Sequence, residues 1–189
     1  MTDEMNANLT RDFTREEVSI AFKQIHPTKA PGPDGMSAIF SLKYWNIVGC
    51  SITNMVLNIL NNNLPMVELN KTNIALISKT NNPKRMSEFH PISLCNVEFK
   101  LISKTLANKL KTLLPHIITE NRSAFILDRL ITDNVLVAFE LMLFLNKKNA
   151  GNDSFMAAKL NMSKAFDRVE WCFIQRVMER LSFNTRWIN

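Results

Sequence analysis

Apolar positions first recur at helical spacing between Phe13 and Ile25, where Val18, Ala21, Phe22 and Ile25 share one face. This stretch carries its own start signal. Thr14 can cap the helix, Glu17 can close a capping box, and Phe13 and Val18 hold the two staple positions. A stop is expected at His26, before Pro27. The next segment, PTKAPGPDGMS, holds three of the seven prolines and two of the four glycines, the pattern of a stiff loop. Helical spacing resumes over Ser37 to Val48 and over Ser51 to Leu64, the latter with Ile52, Met55, Val56, Ile59 and Leu60 on one face, and Pro65 closes it. TNIALISK (Thr72 to Lys79) and the weaker HPISLC (His90 to Cys95) read as the strands of a hairpin with the polar tip NNPKRMSE. Val97 to Leu114 is predicted as a long amphipathic helix with Phe99, Ile102, Leu106, Leu110 and Leu113 on the buried stripe and Lys100, Lys104 and Lys111 away from it.

Another helix is expected from Thr132 or Asp133 to about Lys147. It is apolar nearly all round, so burial is predicted. After the turn signal NAGND come a strand, Ser154 to Leu160, and a helix from about Ser163 to Leu181. Many helices with three or four unevenly spaced strands point to an α+β protein.

Composition adds little to that picture. The 189 residues are 46% hydrophobic, enough for a core in one domain or two small ones. Cys50, Cys95 and Cys172 are odd in number and lack C-x-x-C spacing, which argues against a zinc site or a disulfide framework and fits a reducing compartment. The polar, acidic opening MTDEMNANLTRD does not read as a signal peptide, and an intracellular location, nuclear or cytoplasmic, is expected. The longest apolar run, Val135 to Leu145, has 11 residues and contains Glu140, too short to cross a bilayer.

Charge changes the picture more. Between Lys71 and Lys111 stand eight basic residues and two acidic ones, so this window alone carries the chain's whole net charge of +6. Such a concentration suits a polyanion-binding surface, because each neutralised phosphate releases counterions. On charge alone, a solvated lysine-rich helix face is the more ordinary explanation.

Four separated blocks then sharpen the reading: KAPGPDG (29–35), IALISKTNNPKRMSEFHPISLCNVEFKLISKTLANKL (74–110), ITENRSAFILDRLITDNVLVAFEL (118–141) and KLNMSKAFDRVEW (159–171). In this order and spacing they resemble the reverse transcriptase of non-LTR, LINE-type retrotransposons, especially the plant members. The resemblance implies a right-hand polymerase fold, helix-rich with a small antiparallel hairpin. A polar N-terminal tail (1–12), a fingers-like region (13–153) and an incomplete palm (154–189) are expected.

It also implies an RNA template, a DNA primer and a deoxynucleotide as partners, and Mg2+ as the family's cofactor. In the family a primer 3′-hydroxyl attacks the α-phosphate at a pair of divalent ions, which several carboxylates must neutralise. The first metal-binding Asp falls on Asn161, a neutral amide, so the metal site is not intact. Phe166 falls on the aromatic gate that excludes a 2′-hydroxyl, and Lys164 and Ala165 fall beside the triphosphate. His90 and Lys79 are further nucleotide-site candidates, and Lys29, Lys84, Lys100 and Arg129 are candidates for nucleic-acid contact. Asp167, six residues beyond Asn161, lies about one and two-thirds helical turns away and makes a poor replacement ligand.

Other positions depart from the family as well. His90 stands where the family has Arg, and imidazole cannot make the bidentate, permanently charged contact of a guanidinium. Asp128 replaces a glycine, and Arg122 a glutamine. The sequence given also stops before the aromatic-Ala-Asp-Asp hairpin that carries the family's other metal carboxylates. An inactive polymerase fragment is therefore expected, with a non-catalytic nucleic-acid-binding module or a non-functional retroelement relic as the alternatives. Oligomeric state is not legible.

Overall fold

A computed structural model describes residues 1–147, 156–162 and 164–188, apart from the Phe166 side chain. The protein forms two compact units, residues 12–108 and residues 1–11 with 109–189. The boundary expected at 153/154 lies outside the described residues.

In the 12–108 unit, α2 (Arg15–Lys23) begins as its sequence dictates; α1 (Asp3–Thr10) belongs to the other unit. Glu17 N donates to Thr14 Oγ1 at 3.3 Å, and Thr14 N donates to Glu17 Oε2 at 2.7 Å, so the capping box is complete. Phe13 and Val18 are both buried. Asn61 adds a clamp that no local pattern announced: it accepts from Phe13 N at 2.8 Å and donates to Phe13 O at 3.1 Å.

The next helices are α3 (Ala38–Lys43) and α4 (Trp45–Asn62). The break expected between Val48 and Ser51 is in fact at Tyr44, whose φ of −109° and ψ of 25° leave the helical basin. Gly49 stays helical and makes room for a ring, since a Cβ there would meet the Trp45 indole at 2.8 Å. That ring stacks on Phe22 with centroids 4.1 Å apart, joining α4 to α2. Val18, Ala21, Phe22, Val56, Leu101 and Ile102 form the centre of this unit's core.

β1 (Thr72–Ser78) and β2 (Phe89–Cys95) pair antiparallel, with Thr72 opposite Cys95 and Ser78 opposite Phe89. Two strands, rather than three or four, make the sheet among the described residues. A 3-10 turn, Met86–Glu88, leads into β2.

Helix α5 (Val97–Lys111) starts directly after the hairpin. Its buried seam is Val97, Leu101, Ile102, Thr105 and Lys109; of the expected stripe Ile102 and Leu113 are buried, while Phe99, Leu106 and Leu110 are half-buried. Thr105 hid this seam because its hydroxyl is satisfied inside the helix, donating to Leu101 O at 2.8 Å.

The second unit holds α1 (Asp3–Thr10), α6 (Leu114–Ile117), α7 (Ile131–Lys147), α8 (Ala165–Arg168), α9 (Trp171–Arg180) and α10 (Thr185–Ile188). The polar opening thus contains a helix, tied to the 181–186 segment: Asn6 Nδ2 donates to Ser182 O at 2.8 Å and Arg186 Nη1 to Thr10 O at 3.0 Å. The burial expected of α7 is not found. Val135 is 63% exposed and Phe139 61%, because apolar content supplies the drive to bury and no described element supplies the cover.

Of the strand expected at 154–160, residues 154 and 155 lie outside the described residues, and 156–160 form no strand. The helix expected to run unbroken to Leu181 is divided at Val169 and Glu170, whose ψ angles of 114° and 145° are extended. No described helix is long and apolar enough to cross a membrane.

Candidate nucleic-acid interface

Four of the predicted contact residues lie on the hairpin and on the loop beside it. His90 is exposed in β2 opposite Ile77, and Lys79 is exposed in the bend directly after β1. The tip is ordered by its own polar groups. Lys79 N donates to Glu88 O at 2.7 Å, and Lys79 Nζ to Ser87 O at 2.8 Å. Glu88 Oε2 accepts from Lys84 N at 2.6 Å and from Arg85 N at 3.2 Å. Those bonds use the main chain of Lys84 and Arg85, so a fixed turn presents the exposed side chains of both. Ile74, Leu76, Ile77 and Ile92 are also exposed on the hairpin. It therefore sets exposed aliphatic surface beside cations, and the cations are what contact with a nucleic-acid backbone requires.

Lys29 is exposed on the 27–37 loop. Lys100, half-buried on α5, donates through Nζ to Ala30 O at 2.7 Å. The structure thus brings Lys29 and Lys100 to one loop, with Lys100 directed at main chain.

Arg129, in the other unit, is likewise turned inward. Nη1 donates to Thr119 O at 2.6 Å and to Arg122 O at 2.8 Å, while Nη2 donates to Pro115 O and Ile118 O, each at 3.3 Å. One planar fork thereby organises the turn after α6. That turn borders a cavity of about 850 Å3 lined by Leu114, Ile118, Arg122, Phe125 and Asn134 among others. Asp128 sits at φ 60° and Phe125 at φ 65°, the left-handed region that glycine enters most easily. A glycine at position 128 would adopt this geometry without strain.

Asn161 is exposed in the stretch before α8, and Lys164 enters that helix at φ 53° with its side chain exposed. Ala165 is the first residue of α8 and is exposed. The gate expected of the Phe166 side chain lies outside the described residues. A pair of divalent ions needs several converging carboxylates. Among the described residues no three His, Cys, Asp or Glu side chains are grouped to hold an ion, and Asn161 offers one neutral carbonyl oxygen. The described residues therefore do not fit the family's metals.

Two comparisons with known proteins bear on this arrangement. The chain is 22% identical over 188 residues to the "Transposon TX1 uncharacterized 149 kDa protein" of Xenopus laevis, a match covering 100% of this chain and 14% of that protein. Residues 77–189 match the model of the reverse transcriptase (RNA-dependent DNA polymerase) family, a span that takes in β2, α5, the Arg129 turn and the Asn161 stretch. The family generally uses divalent metals. With more than half of its length matched, the chain belongs to the reverse transcriptase (RNA-dependent DNA polymerase) family.

Proposed function

We propose that this chain is the fingers and first palm segment of the RNA-directed DNA polymerase of a non-LTR retrotransposon, retaining a nucleic-acid-binding surface but not catalysis. The family match across 77–189 carries this reading, because its span includes the segment in which Asn161 takes the place of the metal-binding Asp. Replacing a carboxylate by an amide removes a full negative charge where hard cations need one. The exposed apolar side chains of α7 and of Trp171 and Phe173 on α9 support a unit completed by further polypeptide. In the binding role of the 12–108 unit, Lys79 and Lys84 contact phosphate, Lys29 lies along the template and His90 meets the nucleotide; in the other unit Lys164, Ala165 and Phe166 are the nucleotide candidates, and Arg129 serves the template through the turn it organises. Lys100 belongs to the surface of the 12–108 unit. The RNA template and DNA primer are held by their charge, which does not require the metal site.

Primer extension on an RNA template with Mg2+ or Mn2+ tests the loss of chemistry. No incorporation is expected from this chain, and clear incorporation overturns the proposal.

A further inference from the structure

The loop at 27–37 approaches the start of α5 more closely than side chains would allow. A Cβ at Gly32 would stand 2.1 Å from Asn96 Oδ1, 2.4 Å from Asn96 N and 2.6 Å from Cys95 C. Main chain lies against main chain there, and only glycine fits. Two side-chain bonds flank this contact. Lys100 Nζ donates to Ala30 O at 2.7 Å, and Asp34 N donates to Asn96 Oδ1 at 3.4 Å. The loop adds bonds of its own: Gly35 N donates to Gly32 O at 3.1 Å, and Met36 N to Asp34 Oδ1 at 2.9 Å.

Asn96 is the single residue between β2 and α5. The loop is thereby fastened at Ala30, Gly32 and Asp34 to the joint on which the hairpin stands. Pro31 and Pro33 alternate with these positions and narrow the conformations open to it.

We infer that Asn96 and Lys100 are positioning residues: they latch the 27–37 loop to the base of the hairpin, so that Lys29 and the hairpin cations form one preset surface for a single-stranded nucleic-acid backbone. Lys100 acts through the Ala30 carbonyl instead of contacting phosphate. The functional half of this inference rests on the nucleic-acid binding proposed above, whereas the latch rests on the geometry alone. Presetting raises affinity by lowering the ordering required on binding. It adds no counterion release, because that counts only cations placed against phosphate.

Amide hydrogen exchange on the full chain tests the latch, using Lys100→Met, which keeps the aliphatic stem, and Asn96→Ala at the other end. Exchange at Asp34 and Gly35 should rise about 10-fold or more in both variants while the α2 and α4 amides stay protected. Filter binding of a single-stranded oligouridylate across a salt series reads the consequence. Lys100→Met should weaken binding about 5-fold with the log–log salt slope of the parent, whereas Lys84→Met should reduce that slope by about 0.7. Unchanged exchange at Asp34 and Gly35 overturns the latch. A slope reduced by about 0.7 in Lys100→Met overturns the positioning role, because it would place the ammonium on phosphate. If the parent itself fails to bind at low salt, the nucleic-acid reading falls, and the exchange measurement still decides the latch.

Discussion

The two units use similar apolar residues with opposite results. In the 12–108 unit Phe22 is 2% exposed, stacked on Trp45 and enclosed by Val18, Val56 and Leu101. In the other unit Phe139 lies on the more uniformly apolar helix α7 and is 61% exposed. The difference is one of partners and not of side chains. α2 meets α4 and the first turns of α5, while no described element covers α7. Burial is a property of a pair of surfaces, and a sequence reports each surface separately.

Paired truncations break this comparison most forcefully. Phe22→Ala should cost about 3–5 kcal/mol, the transfer term plus a cavity. Phe139→Ala should stay within about 0.5 kcal/mol, as for an exposed site without special features. Urea unfolding of the full chain reads both, and comparable losses would show that α7 is covered as the core is. A smaller effect is expected where the second unit does have internal order. Arg129→Met should cost about 1.5–3 kcal/mol, because four carbonyls lose a charged donor. The same unfolding curves read this loss. If stability is unchanged, the guanidinium does not organise the turn. The smallest expected change is a gain. Asp128→Gly should stabilise by about 0.5–1 kcal/mol, since φ 60° is strained for an L-residue. A thermal melt checks the sign, and a lower Tm would show that the Asp128 side chain contributes more than the strain costs.

Local chemistry was read correctly because its partners are close in the chain. Thr14 and Glu17 are three residues apart, and the box they form depends on nothing else. The hairpin followed from two β-branched runs around a polar tip, although β2 starts one residue earlier than expected, at Phe89. Where the sequence reading failed, two demands competed. Thr105 and Lys109 lie in the α5 seam as polar residues, so periodicity pointed to the neighbouring stripe. The helical spacing left a gap between Val48 and Ser51, yet Gly49 there serves the ring of Trp45 within one helix.

The candidate site divides along the same line. The neutral amide at Asn161 and the basic window from Lys71 to Lys111 are statements about residue types, and the residues themselves disclose them. What those cations do is another matter. Lys100 reaches Ala30 across 70 positions, Asn96 meets Asp34 across 62, and Arg129 turns inward on the segment behind it. By itself the sequence determined the family motifs, the helix start at Thr14 and the hairpin, because each is carried by near neighbours or by side-chain chemistry. Only the tertiary structure decided which lysine holds a loop, which seam of α5 is buried and that α7 is exposed, because those outcomes depend on atoms that distant parts of the chain bring into contact.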